Sequence, residues 1–474
     1  MTDTVQLYRA AYVLEHTHQG HQLLRNGEVV IKDNLIEHVG KKGTYQSEPD
    51  EVIELGHYLI APGFVNIHAH TGGAPLGKSL FEDAGTKSFY MSGLYDYGDI
   101  RQTTTKQRRA VTKYSLAQLL KSGCTTVVEM GTTECADIFS DVGVRACLIP
   151  TYRSARWKTC DGRRLEYEWD EETGFAGLQQ NVEWLERLGD DDMMFSALGP
   201  AQVDTCSRAL LSETREIADK LGCTIHIHAA QSHVELHKVL EREGMTPLEF
   251  LEDVGLMGQH LTIAHCILTS SHPDSNLTFT RDVQLLGKYS VNVAHCPWVF
   301  GRRGTMLYSL KKYTDDGVNI GLGTDTAPQN MLSEMKIGAV LGKASENDPL
   351  ATTAADIFEA ATIGGARALR RDDLGRLQPG AKADLIFVDC DHFSMVPVRD
   401  PIRNLVYSAG SKPIDKVMVN GNLLVDDGKM LKIDEETVAA DVQKIGDRIY
   451  RKAPSRDRAN RTVDEMSKPS FPFK

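Results

Sequence analysis

The sequence predicts an α/β protein: a (β/α)8, or TIM, barrel with a small composite β-sandwich domain formed by both chain ends. Eight short apolar runs alternate with helix-patterned stretches over roughly 300 residues, which is how a barrel with strands buried on both faces reads. β-rich pieces bounded by Gly and Asn-Gly turns flank that region on either side. The run ends collect histidines and an aspartate, at the end of the strands where a barrel keeps its chemistry.

The first β-rich piece is residues 1–61. In it Val29-Val30-Ile31 follows the turn signal Asn26-Gly27, Leu35-Ile36 precedes Gly40, and Val52-Ile53 precedes Gly56. Its counterpart is residues 376–430, with Ala383-Asp384-Leu385-Ile386-Phe387-Val388, then Val417-Met418-Val419 before Asn420-Gly421, then Leu423-Leu424-Val425. Two such pieces pair as one domain with a larger one, residues 62–375, inserted between them.

The apolar runs of the inserted part are 63–70, 125–130, 144–150, 194–200, 223–228, 261–265, 290–295 and 318–325. Helical periodicity fills stretches such as 107–121, 211–221 and 234–243. No Gly-x-Gly-x-x-Gly turn opens any unit, which disfavours an open doubly wound sheet. The remainder, 431–474, starts with a predicted helix over 435–450. It continues as a charged arm that packs on the body or a neighbouring subunit, or trails as a disordered tail.

Composition narrows the function classes. The 474 residues are 41% hydrophobic and 25% charged, ordinary for a globular protein with a large core. Lys plus Arg total 53 against 65 for Asp plus Glu, a net charge of −12. Without a long basic run, that balance excludes nucleic acid and anionic membrane surfaces as main partners and leaves small-molecule substrates. No run of about eighteen apolar residues occurs, so no membrane span is expected. Met1-Thr2-Asp3-Thr4-Val5-Gln6 lacks a secretory pattern, and the nine cysteines form no C-x-x-C pair. Reduced thiols and a cytoplasmic location are therefore expected.

Run one ends on His68 and His70, run five on His228, run six on His265, run seven on His295 and run eight on Asp325. Spacing of two puts His68 and His70 on one strand face. A divalent ion held by His68, His70, His228 and Asp325 keeps positions open for a water and lowers its pKa toward neutrality. Asp325 can accept the water's proton and pass it to a leaving group, while His265 hydrogen-bonds a developing oxyanion. His226 shares the face of His228 one layer deeper and reads as structural or as an outer partner. Glu129 reads as an acceptor for a histidine N–H or as half of an ion pair at the barrel mouth. No lysine ends run four, so one ion rather than a lysine-bridged pair is expected.

These motifs resemble the metal-dependent amidohydrolase superfamily, in the single-metal branch that contains triazine hydrolases and S-adenosylhomocysteine and guanine deaminases. The resemblance spans nearly the whole chain. It is carried by Ala61-Pro62-Gly63-Phe64-Val65-Asn66-Ile67-His68-Ala69-His70, Ile225-His226-Ile227-His228-Ala229-Ala230-Gln231, Ala264-His265-Cys266, Val293-Ala294-His295-Cys296-Pro297, Gly321-Leu322-Gly323-Thr324-Asp325 and Gly375-Arg376-Leu377-Gln378-Pro379-Gly380-Ala381. It implies His68, His70, His228 and Asp325 as metal ligands, His265 as a catalytic residue, and a homo-oligomer. It also implies one divalent ion per subunit, zinc being usual and iron, cobalt or manganese occurring in relatives.

Three departures bear on the substrate. Ring deaminases of the branch carry a proton-shuttling glutamate three residues after the fifth-strand histidine, where this chain has Gln231. An amide neither takes nor gives a proton near neutral pH. The fourth-strand histidine motif is replaced by Gly199-Pro200-Ala201-Gln202, and Ser-Asn after His-Cys-Pro by Trp298-Val299. Cleavage of a small neutral urea, carbamate or amide is therefore expected, with phenylurea and molinate hydrolases as analogues in xenobiotic degradation. The alternatives are an aminohydrolase or chlorohydrolase acting on a nitrogen heterocycle, and an inactive relative that serves in binding. Gln231, His295, Trp298 and Tyr152 are the candidate substrate-binding residues. Phe300, Trp157 and Phe89 are further pocket aromatics that read equally as packing.

Overall fold

The computed structural model describes residues 4–189, 191–277, 281–410 and 412–473; residues 1–3 and 474, which the expected end segments include, lie outside them. Both chain ends build one sheet of eight strands. Their order is Lys429–Met430, Asn422–Asp426, Ile414–Val419, Leu385–Asp389, Glu51–Pro62, Val5–Thr17, Gly20–Lys32 and Leu35–Lys41. The stitch between the ends is the antiparallel pairing of Leu385–Asp389 with Glu51–Pro62, in register Leu385 with Pro62. One face of this sheet encloses a core that includes Val13, Val29, Ile31, Ile60, Leu385 and Phe387.

Asn26-Gly27 does not end a strand as its turn signal predicts. It lies inside Gly20–Lys32, with Asn26 at φ 52. A Cβ on Gly27 would sit 2.6 Å from Val13 Cγ2, so close strand packing, not a turn, requires the glycine.

The barrel uses all eight apolar runs. Its strands are Phe64–Ala69, Cys124–Met130, Arg145–Ile149 continued by Thr151–Tyr152, Met194–Phe195 continued by Gly199–Pro200, Ile225–Ala229, Leu261–His265, Asn292–His295 and Asn319–Leu322. Most are buried at every residue, which is why they read as continuous apolar runs. Parallel pairing runs around the ring, and an Ala69–Asp325 bridge joins the last strand's end to the first strand. At that seam His70 N–H donates to Asp325 O at 2.9 Å and Asp325 N–H to His68 O at 2.8 Å.

Barrel and sheet are tied by Arg145, which is fully buried. Its guanidinium meets the Asp384 carboxylate at 3.1 and 3.2 Å. Residues 71–104, after the first barrel strand, carry three single 3-10 turns and lie at the barrel mouth. The helix Glu435–Arg456 runs past the expected end at 450 and packs on the body. Arg458 and Arg461 beyond it pair with Asp96 at 3.0 and 3.2 Å, and Tyr450 donates to Lys78 O at 3.1 Å. The C-terminal arm thus anchors the mouth segment, while Phe471 and Phe473 near its end stay exposed.

Candidate metal centre

The closing seam places His68, His70 and Asp325 side by side. His70 Nε2 is 3.6 Å and His68 Nε2 3.8 Å from Asp325 Oδ1, and His265 Nε2 is 3.9 Å from Oδ2. His228 joins from the fifth strand, its ring 4.8 Å from that of His68. Ligand-to-ligand edges around a tetrahedral divalent ion are about 3.4 Å, close to these separations.

The partners behind the rings orient them. His70 Nδ1–H donates to Met130 O at 2.9 Å, and His228 Nδ1–H to Ala201 O at 2.7 Å. A carbonyl only accepts, so Nδ1 holds the proton and each Nε2 keeps a bare lone pair. His68 Nδ1 lies 3.1 Å from His226 Nε2, leaving His68 Nε2 buried without a protein partner. Burial, reinforced by the neighbouring imidazoles, holds His68, His228 and His265 well below the usual histidine range. Neutral rings beside one carboxylate, with an orphaned inward nitrogen, fit a divalent cation.

Tight packing sustains this convergence. A Cβ on Gly323 would lie 2.8 Å from His68 Cβ. His265 and Asp325 take φ of 79° and 52°, a conformation that costs an L-residue about 1–2 kcal/mol. Such strain at strand ends is common where side chains are aimed for function.

A cleft of about 250 Å³ opens over the cluster, lined by His70, His228, His265 and Asp325 and by Phe81, Leu94, Gln202, Gln231 and Phe300. A larger hollow of about 580 Å³ elsewhere is lined by residues such as Asn319, Leu350 and Arg367 and holds no histidine. The backbone of Gln231 is fixed by donation to Glu235 Oε2 at 3.2 Å, and its side-chain nitrogen is buried without a partner.

Several expected neighbours lie elsewhere. Tyr152 is turned by strand alternation into the layer between barrel and helices, with its hydroxyl 2.9 Å from Thr214 Oγ1. Trp298 sits in the turn Pro297–Gly301, two residues from Phe300, so about 200° of helical rotation takes it away from the cleft that Phe300 enters. His295 is buried outside the lining, where burial pushes it down to about 4. Phe89 and Trp157 pack around Tyr95, the Trp157 indole donating to Asp204 at 2.8 Å. Glu129 accepts from Thr71 N–H at 2.6 Å and serves no histidine, because His70 has taken the Met130 carbonyl.

Sequence reasoning missed Phe81, Leu94, Arg101, Arg302 and Arg303, which also line the cleft. The pair Arg302-Arg303, at a barrel mouth in an acidic chain, was the available signal. Phe81, Leu94 and Arg101 lie in a segment without periodicity and carried none.

The profile described as "Amidohydrolase family" matches residues 59–424. A 5'-deoxyadenosine deaminase of Methanosarcina barkeri is 30% identical over 435 residues, covering 90% of this chain and 94% of that protein. A 5-methylthioadenosine/S-adenosylhomocysteine deaminase of Pelotomaculum thermopropionicum is 31% identical over 428 residues, covering 89% and 93%. Among solved structures, a zinc-bound adenosine deaminase from Xanthomonas campestris superposes with TM-score 0.80 at 23% identity, covering 94% of this chain and 98% of that one. An atrazine chlorohydrolase from Arthrobacter aurescens complexed with zinc gives TM-score 0.80 at 21% identity, covering 93% and 100%.

Proposed function

The chain belongs to the amidohydrolase family, and we propose that it is a zinc-dependent hydrolase that removes an amino group from a nitrogen heterocycle of adenosine type. The supporting observation is the full set His68, His70, His228, His265 and Asp325 around one cleft, in a chain 30% identical over 435 residues to a 5'-deoxyadenosine deaminase. The sequence alone favours ureas and carbamates because of Gln231; the extent of that likeness moves the reading to heterocycles.

When bound, a divalent ion supplies Lewis acidity that brings a water's pKa toward neutrality. Asp325 takes one proton of the attacking water and delivers it to the leaving nitrogen, and the water's second proton ends on the adjacent ring nitrogen, so water and an N=C–NH2 group become HN–C=O and ammonia. His265, 3.9 Å from Asp325, orients the attacking oxygen and stabilises negative charge as it develops. The Gln231 amide hydrogen-bonds a ring atom, and Phe81, Leu94 and Phe300 flank the ring and exclude water.

A second reading, cleavage of a urea or carbamate, is favoured by one observation: the Gln231 amide supplies no proton to a ring nitrogen. A panel on zinc-loaded protein separates the two. Ammonia release from adenosine and 5'-deoxyadenosine should exceed amine release from phenylureas and carbamates at least tenfold in kcat/KM. The reverse order sinks the heterocycle reading in favour of the second. Asp325→Asn should abolish turnover in either case.

A further inference from the structure

Three guanidinium groups, Arg101, Arg302 and Arg303, line the cleft beside Asp325. Arg302 is partnered at both terminal nitrogens, though its Nε has no acceptor: it pairs with Glu82 at 3.0 Å and donates to Thr326 Oγ1 at 3.1 Å and Ala327 O at 3.3 Å. Arg101 and Arg303 are not. Among the described residues neither side chain makes an ion pair or hydrogen bond. Each lies over an aromatic ring, Arg101 4.6 Å from the Phe81 centroid and Arg303 5.6 Å from that of Phe300. Arg101 Nε is fully enclosed with no acceptor. Burial and the charge of Arg303 pull the Arg101 guanidinium down to about 10, which leaves it protonated at neutral pH.

Holding two cations together, half-buried and without acceptors, is costly unless an anion completes the set. Among the described residues the one carboxylate near both, Asp325, faces the histidine cluster at 3.6–3.9 Å. A guanidinium fork matches carboxylate or phosphate oxygens in a bidentate way. A positive pocket in a chain of net charge −12 also draws anions selectively.

We propose that Arg101 and Arg303 form an oxyanion subsite, so that the substrate carries a carboxylate or phosphate held on their side of the cleft while the bond cleaved faces the His68–Asp325 cluster. The aromatic rings under the two guanidiniums then flank the body of the substrate, and its anionic end fixes which bond faces Asp325. The assignment rests on the hydrolase reading above and names its substrate class.

Matched pairs test it on the zinc-loaded full chain: adenosine against adenosine 5'-carboxylate and adenosine 5'-monophosphate, and phenylurea against 4-carboxyphenylurea. Both kcat/KM and calorimetric binding are measured. The charged member of a pair should win by about tenfold or more, the usual worth of a charge-assisted contact. Arg303→Gln and Arg101→Gln should each cut that charged-to-neutral ratio about tenfold, and Arg303→Lys should restore part of it, with circular dichroism confirming the fold. The two anionic nucleosides tell a carboxylate from a phosphate requirement. Turnover or binding of neutral members with no gain from the anion overturns the subsite and leaves the hydrolase reading intact. If no pair turns over, that reading fails, and the subsite still stands or falls on the binding ratio.

Discussion

Nδ1 of His68 lies 3.1 Å from Nε2 of His226, two buried rings tilted only 7° apart across 158 residues of sequence. The strand Ile225–Ala229 turns both its histidines inward, but at different depths. His228 reaches the cleft, and His226 stands behind His68 as its hydrogen-bond partner. With His68 Nε2 given to a cation, its Nδ1–H donates to His226 and the ring orientation is held.

His226→Ala should therefore weaken zinc binding about 10–100-fold, the usual effect of removing such a partner. Titration against a chelating dye measures it. Unchanged affinity in a folded variant would show that His226 is packing alone.

Gln231 is expected to bind substrate without moving a proton. Gln231→Ala should raise KM several-fold with a smaller change in kcat, whereas Gln231→Glu should increase ammonia release from adenosine relative to wild type. If Gln231→Ala leaves both constants unchanged, the residue is outside the site.

The Arg145–Asp384 pair, 0% and 3% exposed in its side chains, holds the barrel to the terminal sheet. Arg145→Met leaves a buried carboxylate with fewer partners and should cost about 3–5 kcal/mol in denaturant unfolding. Arg145→Met with Asp384→Leu should recover part of that loss, because no charge then remains stranded. A single-variant cost under about 1 kcal/mol would contradict the assignment.

Burial pushes His21 down to about 3. Its Nε2 meets Thr362 Oγ1 at 3.2 Å, and that hydroxyl already donates to Phe358 O at 2.7 Å, so the ring is neutral with the proton on Nε2. Unfolded histidine titrates near about 6.5, so between there and about 3 only the unfolded chain takes up the proton. Stability from this group is full above about pH 6.5 and falls with decreasing pH by about 1.4 kcal/mol per unit. His21→Gln should flatten the decline of unfolding free energy between pH 6.5 and 4; parallel curves for variant and wild type would be fatal to the idea.

The sequence by itself determined the barrel and the composite sheet, because burial on both faces writes a strand as an unbroken apolar run and turn residues punctuate it. The run-end residues His68, His70, His228, His265 and Asp325 were legible too, since strand order alone brings their ends to one mouth. Only the tertiary structure decided what each side chain meets. Periodicity tells which face of an element is inward, not which partner lies across it. Glu129 thus serves Thr71, Tyr152 meets Thr214 behind the barrel, and Trp298 rotates out while Phe300 rotates in. The arginines reach the cleft from a mouth segment with no periodic signal and from a turn after the seventh strand, anchored by contacts distant in sequence. Their convergence is a property of the closed barrel, where partners hundreds of residues apart share one small cleft.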